Sequence, residues 1–245
     1  MTAIRRTAIV TGASKGIGAA IAIRLAADGF QTIINYAAST AAAENLVSVI
    51  EAAGGRAKAM RADVADAAAM TALFDAAEDA FGPIDVVVNN AGISAMSPLA
   101  TVTDEDYQRL LAVNLTGAFN GMREGARRVR DGGRIINLST SIIGAYLPAH
   151  GVYTATKAAV EALTHTLAKE LGTRQVTVNA VAPGPVLTEL LLAGRSETIL
   201  QRLTQDIPLG RLGQPDDIAR IVSFLAGPDS AWVNGQVIKA NGGRN

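Results

Sequence analysis

The chain has no cysteine, two histidines (His150 and His165), one tryptophan and only 4% aromatic residues in a length of 245. Without cysteine there is no disulfide, no thiolate metal site and no sulfur nucleophile. Two imidazoles are a poor basis for a zinc site, so no metal is expected. Charge of one sign is missing too: 22 Lys and Arg balance 22 Asp and Glu, for a formal net charge of +0. No global field therefore draws the chain to nucleic acid or to an anionic membrane, and any anion site must be local. No apolar run reaches the roughly 18–20 residues of a membrane span. The basic start between Met1 and Thr7 is followed too soon by Gly12, Gly16 and Gly18 to form a signal-peptide core. A soluble, cytoplasmic protein is expected.

What is present is apolar and periodic. Hydrophobic residues make up 49% of the chain, ample for a core. Short β-branched runs alternate with Ala-rich stretches of helical spacing, the pattern of βα units around a parallel sheet. The strands are expected at Thr7–Thr11, Gln31–Tyr36, Arg56–Arg61, Ile84–Asn89, Arg134–Leu138, Val176–Val181 and Gln236–Ala240. Helices are expected at Ala19–Ala27, Ala41–Ala53, Ala67–Phe81, Asp104–Val129, Tyr153–Leu171 and Asp216–Leu225. Runs such as Val86-Val87-Val88 fit strands covered on both faces. A single domain spanning residues 1–245 is expected. Only Leu187–Ile207 breaks the rhythm, and it reads as one or two short helices covering a substrate.

The first strand runs into Thr11-Gly-Ala-Ser-Lys-Gly-Ile-Gly18 and then into a helix. Such a turn aims backbone N–H groups and a helix N-terminus at a pyrophosphate, and needs glycine where the chain bends or a side chain would block the phosphate. No Lys-Ser/Thr pair follows the glycines, so this is not a Walker loop. Further on, Tyr153 and Lys157 stand four residues apart, on one face of a helix. A free phenol has a pKa of about 10, and a neighbouring ammonium is expected to draw it toward working pH.

Four motifs occur in order: the glycine loop, Asn89-Asn90-Ala91-Gly92, Tyr153-Thr-Ala-Thr-Lys157 and Pro183-Gly184. In these the whole chain resembles the short-chain dehydrogenase/reductases, including members of the β-ketoacyl-(acyl carrier protein) reductase kind. The resemblance implies an α/β, Rossmann-type doubly wound fold with seven parallel strands and helices on both faces. It implies catalytic roles for Asn114, Ser141, Tyr153 and Lys157, with Asn114 kinking its helix and holding a relay water. The hydroxyl is the open point: family distance from Tyr153 leads to Thr140, whereas the local Ser-x-x-Gly pattern leads to Ser141, which is preferred, and Ser139 adjoins both.

The implied cofactor contacts are Gly12, Ser14, Lys15, Gly16, Ile17 and Gly18 in the loop, and Asp63 and Val64 at the adenine. Asn90 follows at the ribose, and Val186 and Thr188 at the carboxamide, with Tyr153 and Lys157 shared. The second strand ends Asn35-Tyr36-Ala37-Ala38-Ser39 without the carboxylate that marks NAD enzymes. Asn35, Ser39 and the cation of Lys15 favour NADP(H).

The activity implied is NADPH-dependent reduction of a small-molecule ketone or a β-ketoacyl thioester, with Tyr153 as general acid. An NAD-dependent alcohol dehydrogenase and a noncatalytic redox sensor are the alternatives. Arg127, Arg128, Arg130 and Arg174 either form a basic patch for an acidic carrier protein or are solvated helix-end cations. A homotetramer is implied, with small residues such as Ala118, Gly121, Gly125, Ala155, Ala158 and Ala162 serving either subunit contacts or packing within the chain. His150, ahead of Tyr153, is placed at the substrate cleft but outside the catalytic set.

Overall fold

A computed structural model describes residues 6–193 and 196–245. Residues 1–5 of the expected domain, with the start of the basic segment, and residues 194–195 of the expected covering segment lie outside the described residues. Seven strands form one parallel sheet: β1 (Thr7–Val10), β2 (Gln31–Tyr36), β3 (Arg56–Arg61), β4 (Ile84–Asn89), β5 (Arg134–Leu138), β6 (Thr177–Pro183) and β7 (Val237–Ala240). Their order is β3-β2-β1-β4-β5-β6-β7, so the chain winds outward to one side and then returns to wind to the other. The expected Rossmann-type sheet is present, with β1 ending earlier and β6 later than the apolar runs suggested.

The helices are α1 (Gly16–Ala27), α2 (Thr40–Ala52), α3 (Ala67–Phe81), α4 (Asp104–Leu110), α5 (Gly117–Arg128), α6 (Gly151–Glu170), α7 (Glu189–Leu192), α8 (Glu197–Gln205) and α9 (Pro215–Ala226). Two apolar layers hold them to the sheet. One joins α1, α2 and α9 through Ile21, Leu25, Leu46 and Val222. The other joins α3, α5 and α6 through Leu73, Phe74, Met122 and Val160. Strands β1, β2, β4, β5 and β6 are buried along their whole length. The reversal of strand order between β1 and β4 opens a crevice at the strands' carboxyl ends, where ligands of such sheets bind.

The continuous helix expected over Asp104–Val129 is interrupted. Leu111–Thr116 forms a π-turn, in which the Gly117 N–H donates to Ala112 O, five residues back. Beyond it α5 lies very close to the sheet: a Cβ on Gly117 would meet Val64 Cγ2 at 2.5 Å, and one on Gly121 would meet Asn89 Oδ1 at 1.9 Å. Ala118 is buried as well. These small residues serve packing within the chain, which removes Ala118, Gly121 and Gly125 from the proposed subunit contacts; Ala155, Ala158 and Ala162 remain exposed.

Candidate active site

At the crevice the glycine loop is built by its neighbours. Asn90 Nδ2 donates to Thr11 O (2.8 Å) and Gly12 O (3.1 Å), while the N–H groups of Asn90 and Ala91 donate to Thr11 Oγ1, both at 3.0 Å. Gly12 has φ +60°, and a Cβ there would stand 2.8 Å from Ala91 Cα; one on Gly18 would stand 2.6 Å from Gly12 O. Helix α1 then starts at Gly16 with no side chain capping it. Its first N–H groups are thus offered to an anion, and a Cβ on Gly16 would touch the Thr188 methyl at 3.5 Å. Ser14 and Ile17 line the same turn, both half-buried.

Two expected contacts are placed differently. Asn35 is buried, its Oδ1 accepting from Gly12 N (3.2 Å) and its Nδ2 donating to Ala62 O (3.0 Å) and Met60 O (3.4 Å). It supports the loop and has no amide group left for a ribose. Because β2 is buried on both faces, the sequence carries no alternation that would have shown which way Asn35 points. Lys15 forms an exposed ion pair with Glu189 of α7 at 2.6 Å. Asp63 is exposed and accepts from Ala65 N at 2.9 Å, and Val64 packs its side chain against Gly117. Ser39 is exposed at the start of α2. Val186 is buried; Thr188 caps α7 by accepting from Leu191 N at 3.3 Å.

One face of α6 meets the end of β5. Tyr153, Lys157 and Glu161 recur every four residues, and each is tied to one of three consecutive residues. The Thr140 side chain adjoins the Tyr153 phenol and favours its ionised form. Lys157 Nζ donates to Leu138 O at 2.7 Å, and Ser139 Oγ donates to Glu161 Oε1 at 2.6 Å. Thr140 therefore stands near the phenol. Ser141 is buried, its N–H donating to Pro183 O (2.9 Å) and its carbonyl accepting from Asn245 Nδ2 (2.6 Å). Glu161 was not singled out, although its four-residue step from Lys157 was legible.

Burial pushes the Tyr153 phenol above its ordinary value of about 10, and Thr140 only partly offsets this. Burial likewise lowers the Lys157 ammonium to about 8. The shift is therefore opposite to the lowering expected from the cationic neighbour, because desolvation is its largest cause. The consequence suits a proton donor, since the phenol keeps its proton at neutral pH.

Asn114 is fully buried in the π-turn, where its Oδ1 accepts from Ile93 N (2.8 Å) and its Nδ2 donates to Ile93 O (2.9 Å). It clamps the segment after β4 beside Gly92, where a Cβ would meet Lys157 Nζ at 3.4 Å and Asn114 Oδ1 at 3.3 Å. His150 precedes α6, its Nδ1 2.9 Å from Pro148 O. The mouth above is apolar: Met96, Leu99, Tyr146, Leu147, Leu187, Leu190 and Leu192 are all exposed. The Leu187–Ile207 stretch supplies part of this rim through α7, followed by α8.

The four arginines considered for a carrier protein are paired. Arg127 meets Glu124 (3.0 Å), Arg128 meets Asp75 (2.6 Å) and Glu78 (2.5 Å), and Arg174 meets Asp131 (2.9 Å). Arg130 Nε donates to Asp85, which also accepts from Thr7 N at the start of β1. That end of the sheet is opposite the crevice. Among the described residues no group of three or more His, Asp or Glu is placed to hold a metal, and no helix is long and apolar enough to cross a membrane.

A family model described as enoyl-(acyl carrier protein) reductase matches residues 12–245. A short-chain type dehydrogenase/reductase of Picea abies is 46% identical, over 98% of this chain and 92% of its own length. An NADPH-dependent aldehyde reductase of Arabidopsis thaliana is 43% identical, over 97% and 93%. Among solved structures, a short chain dehydrogenase from Burkholderia cenocepacia in complex with NADP is similar with a TM-score of 0.93 and 38% identity, covering 99% of both chains.

Proposed function

This chain belongs to the short-chain dehydrogenase/reductase family, and on that footing we propose that it reduces a small apolar ketone or aldehyde, or the keto group of a β-ketoacyl thioester, with Tyr153 as the proton donor. It is an NADP(H)-dependent oxidoreductase acting on carbonyl and alcohol groups. NADPH, when bound, supplies the hydride. The observation that carries the reading is the face of α6 at the crevice, where burial keeps the Tyr153 phenol protonated near Thr140 and Lys157 Nζ donates to Leu138 O.

The uncapped start of α1 and the glycine loop fit a pyrophosphate, and the turn after β2 has no carboxylate to repel a 2′-phosphate. Lys157 gives one hydrogen bond to Leu138 O, leaving donors for a ribose. Thr140 donates to the carbonyl oxygen while Tyr153 protonates it. The Asn114 amide is committed to Ile93, so it holds the segment after β4 in place and has no role as a direct ligand of a relay water. The apolar rim from Met96 to Leu192 supports an apolar substrate, with α7 and α8 as its cover. A carrier-protein substrate is not supported by the arginines, which are neutralised at the far end of the sheet. Localisation in the cytoplasm and a tetramer built on the exposed face of α6 remain part of the proposal.

Two measurements test it. NADPH consumption is expected with apolar aldehydes and ketones but not with free sugars; a flat response across such a panel would sink the reductase reading. Thr140→Val is expected to lower kcat by about 10²-fold through loss of one donor to the oxyanion, with Ser141→Ala within a few-fold of wild type. The reverse ranking would return the role to Ser141.

A further inference from the structure

An NADP(H) protein needs a cation for the adenosine 2′-phosphate, and the two groups nearest to hand in the sequence are engaged elsewhere. Asn35 is buried under the glycine loop, and Lys15 is paired with Glu189. The turn after β2 is nonetheless open, with Ala37, Ala38 and Ser39 all exposed. Arg61 flanks it from the neighbouring strand. It ends β3 opposite Tyr36, and its Nε donates to Ala37 O at 3.0 Å. Its terminal nitrogens form no ion pair or hydrogen bond among the described residues. Asp63, two residues on, is turned toward Ala65 N.

We propose that Arg61 is the residue that recognises the 2′-phosphate, assisted by the Ser39 hydroxyl. A guanidinium held by Nε keeps its two terminal nitrogens together as a flat pair of donors, the geometry that matches two oxygens of a phosphate. The bond to Ala37 O orders the long side chain before any ligand arrives, so less freedom is lost on binding. Position 61 lies on β3, away from both the glycine loop and the end of β2, and its cation reaches the turn only through strand pairing. The inference rests on the NADPH reading of the site.

Fluorescence titration of the purified protein with NADPH and NADH tests both. Arg61→Ala is expected to weaken NADPH binding by at least about tenfold and NADH binding by less than twofold, with Arg61→Lys between wild type and Ala. Lys15→Ala is expected to cost NADPH less than Arg61→Ala does. An equal loss for both dinucleotides in Arg61→Ala, or no loss for NADPH, would overturn the assignment, as would a larger effect at Lys15. Wild-type protein that binds NADH as tightly as NADPH would overturn the NADPH reading itself, and Arg61 with it. Because Arg61 is exposed, the variants are expected to keep the wild-type melting temperature, and the NADH arm reports any misfolding.

Discussion

Tyr153→Phe is expected to lower kcat for carbonyl reduction by about 10²–10⁴-fold while leaving the Kd for NADPH within about threefold. The substitution removes one oxygen from a partly buried ring and keeps its packing against the start of α6. What is lost is a proton held at the crevice by a group whose pKa burial has raised. The loss should fall on kcat rather than KM, because a proton transfer in the transition state contributes little to ground-state binding. Stopped-flow or steady-state NADPH oxidation, alongside a binding titration, separates the two quantities. A variant that turns over at the wild-type rate would exclude the phenol as acid.

Lys157→Met is expected to lose activity by at least about 10²-fold and at the same time to become more stable. The ammonium is buried and its pKa falls from 10.5 to about 8. Below pH 8 both folded and unfolded chains carry the proton, and the cost of burying the charge is fully present. Between about 8 and 10.5 the unfolded chain binds more protons, so stability rises with pH; above 10.5 the cost has gone. That cost is on the order of 3 kcal/mol. Leaving Leu138 O without its donor returns roughly 1–2 kcal/mol of it. A net gain of about 1–2 kcal/mol at pH 7 corresponds to a Tm several degrees higher. The difference from wild type should shrink as pH climbs from 8 toward 10.5, which thermal unfolding across that range would show. A lower Tm than wild type at pH 7 would contradict the cost assigned to the charge.

Much of the architecture was legible because a parallel sheet demands it: apolar runs short enough for strands, separated by Ala-rich helices and glycine stops. The limits were local. A π-turn adds one residue to one turn, and a 3.6-residue period over Asp104–Val129 has no means of showing it. Thr140 and Ser141 are adjacent hydroxyls, and only the path of the backbone at the end of β5 determines which of them meets Tyr153. Lys15 looked free because its partner, Glu189, lies 174 residues away on another element. Arg61 was passed over for the same reason: its contact with Ala37 follows from the β2–β3 register, not from nearness in the chain.

The ties between α6 and β5 also determine where this protein tolerates insertions. One extra residue between Tyr153 and Glu161 would rotate everything after it by about 100° and separate phenol, ammonium and carboxylate from their strand partners. The stretch from Ile142 to His150 is different. It bends through left-handed conformations at Gly144, Tyr146 and Ala149 and leaves its apolar side chains outside the core. Lengthening or shortening it would remodel the rim while leaving the reacting groups in place. Libraries that vary loop length there would explore molecular shapes that single-residue replacement never reaches.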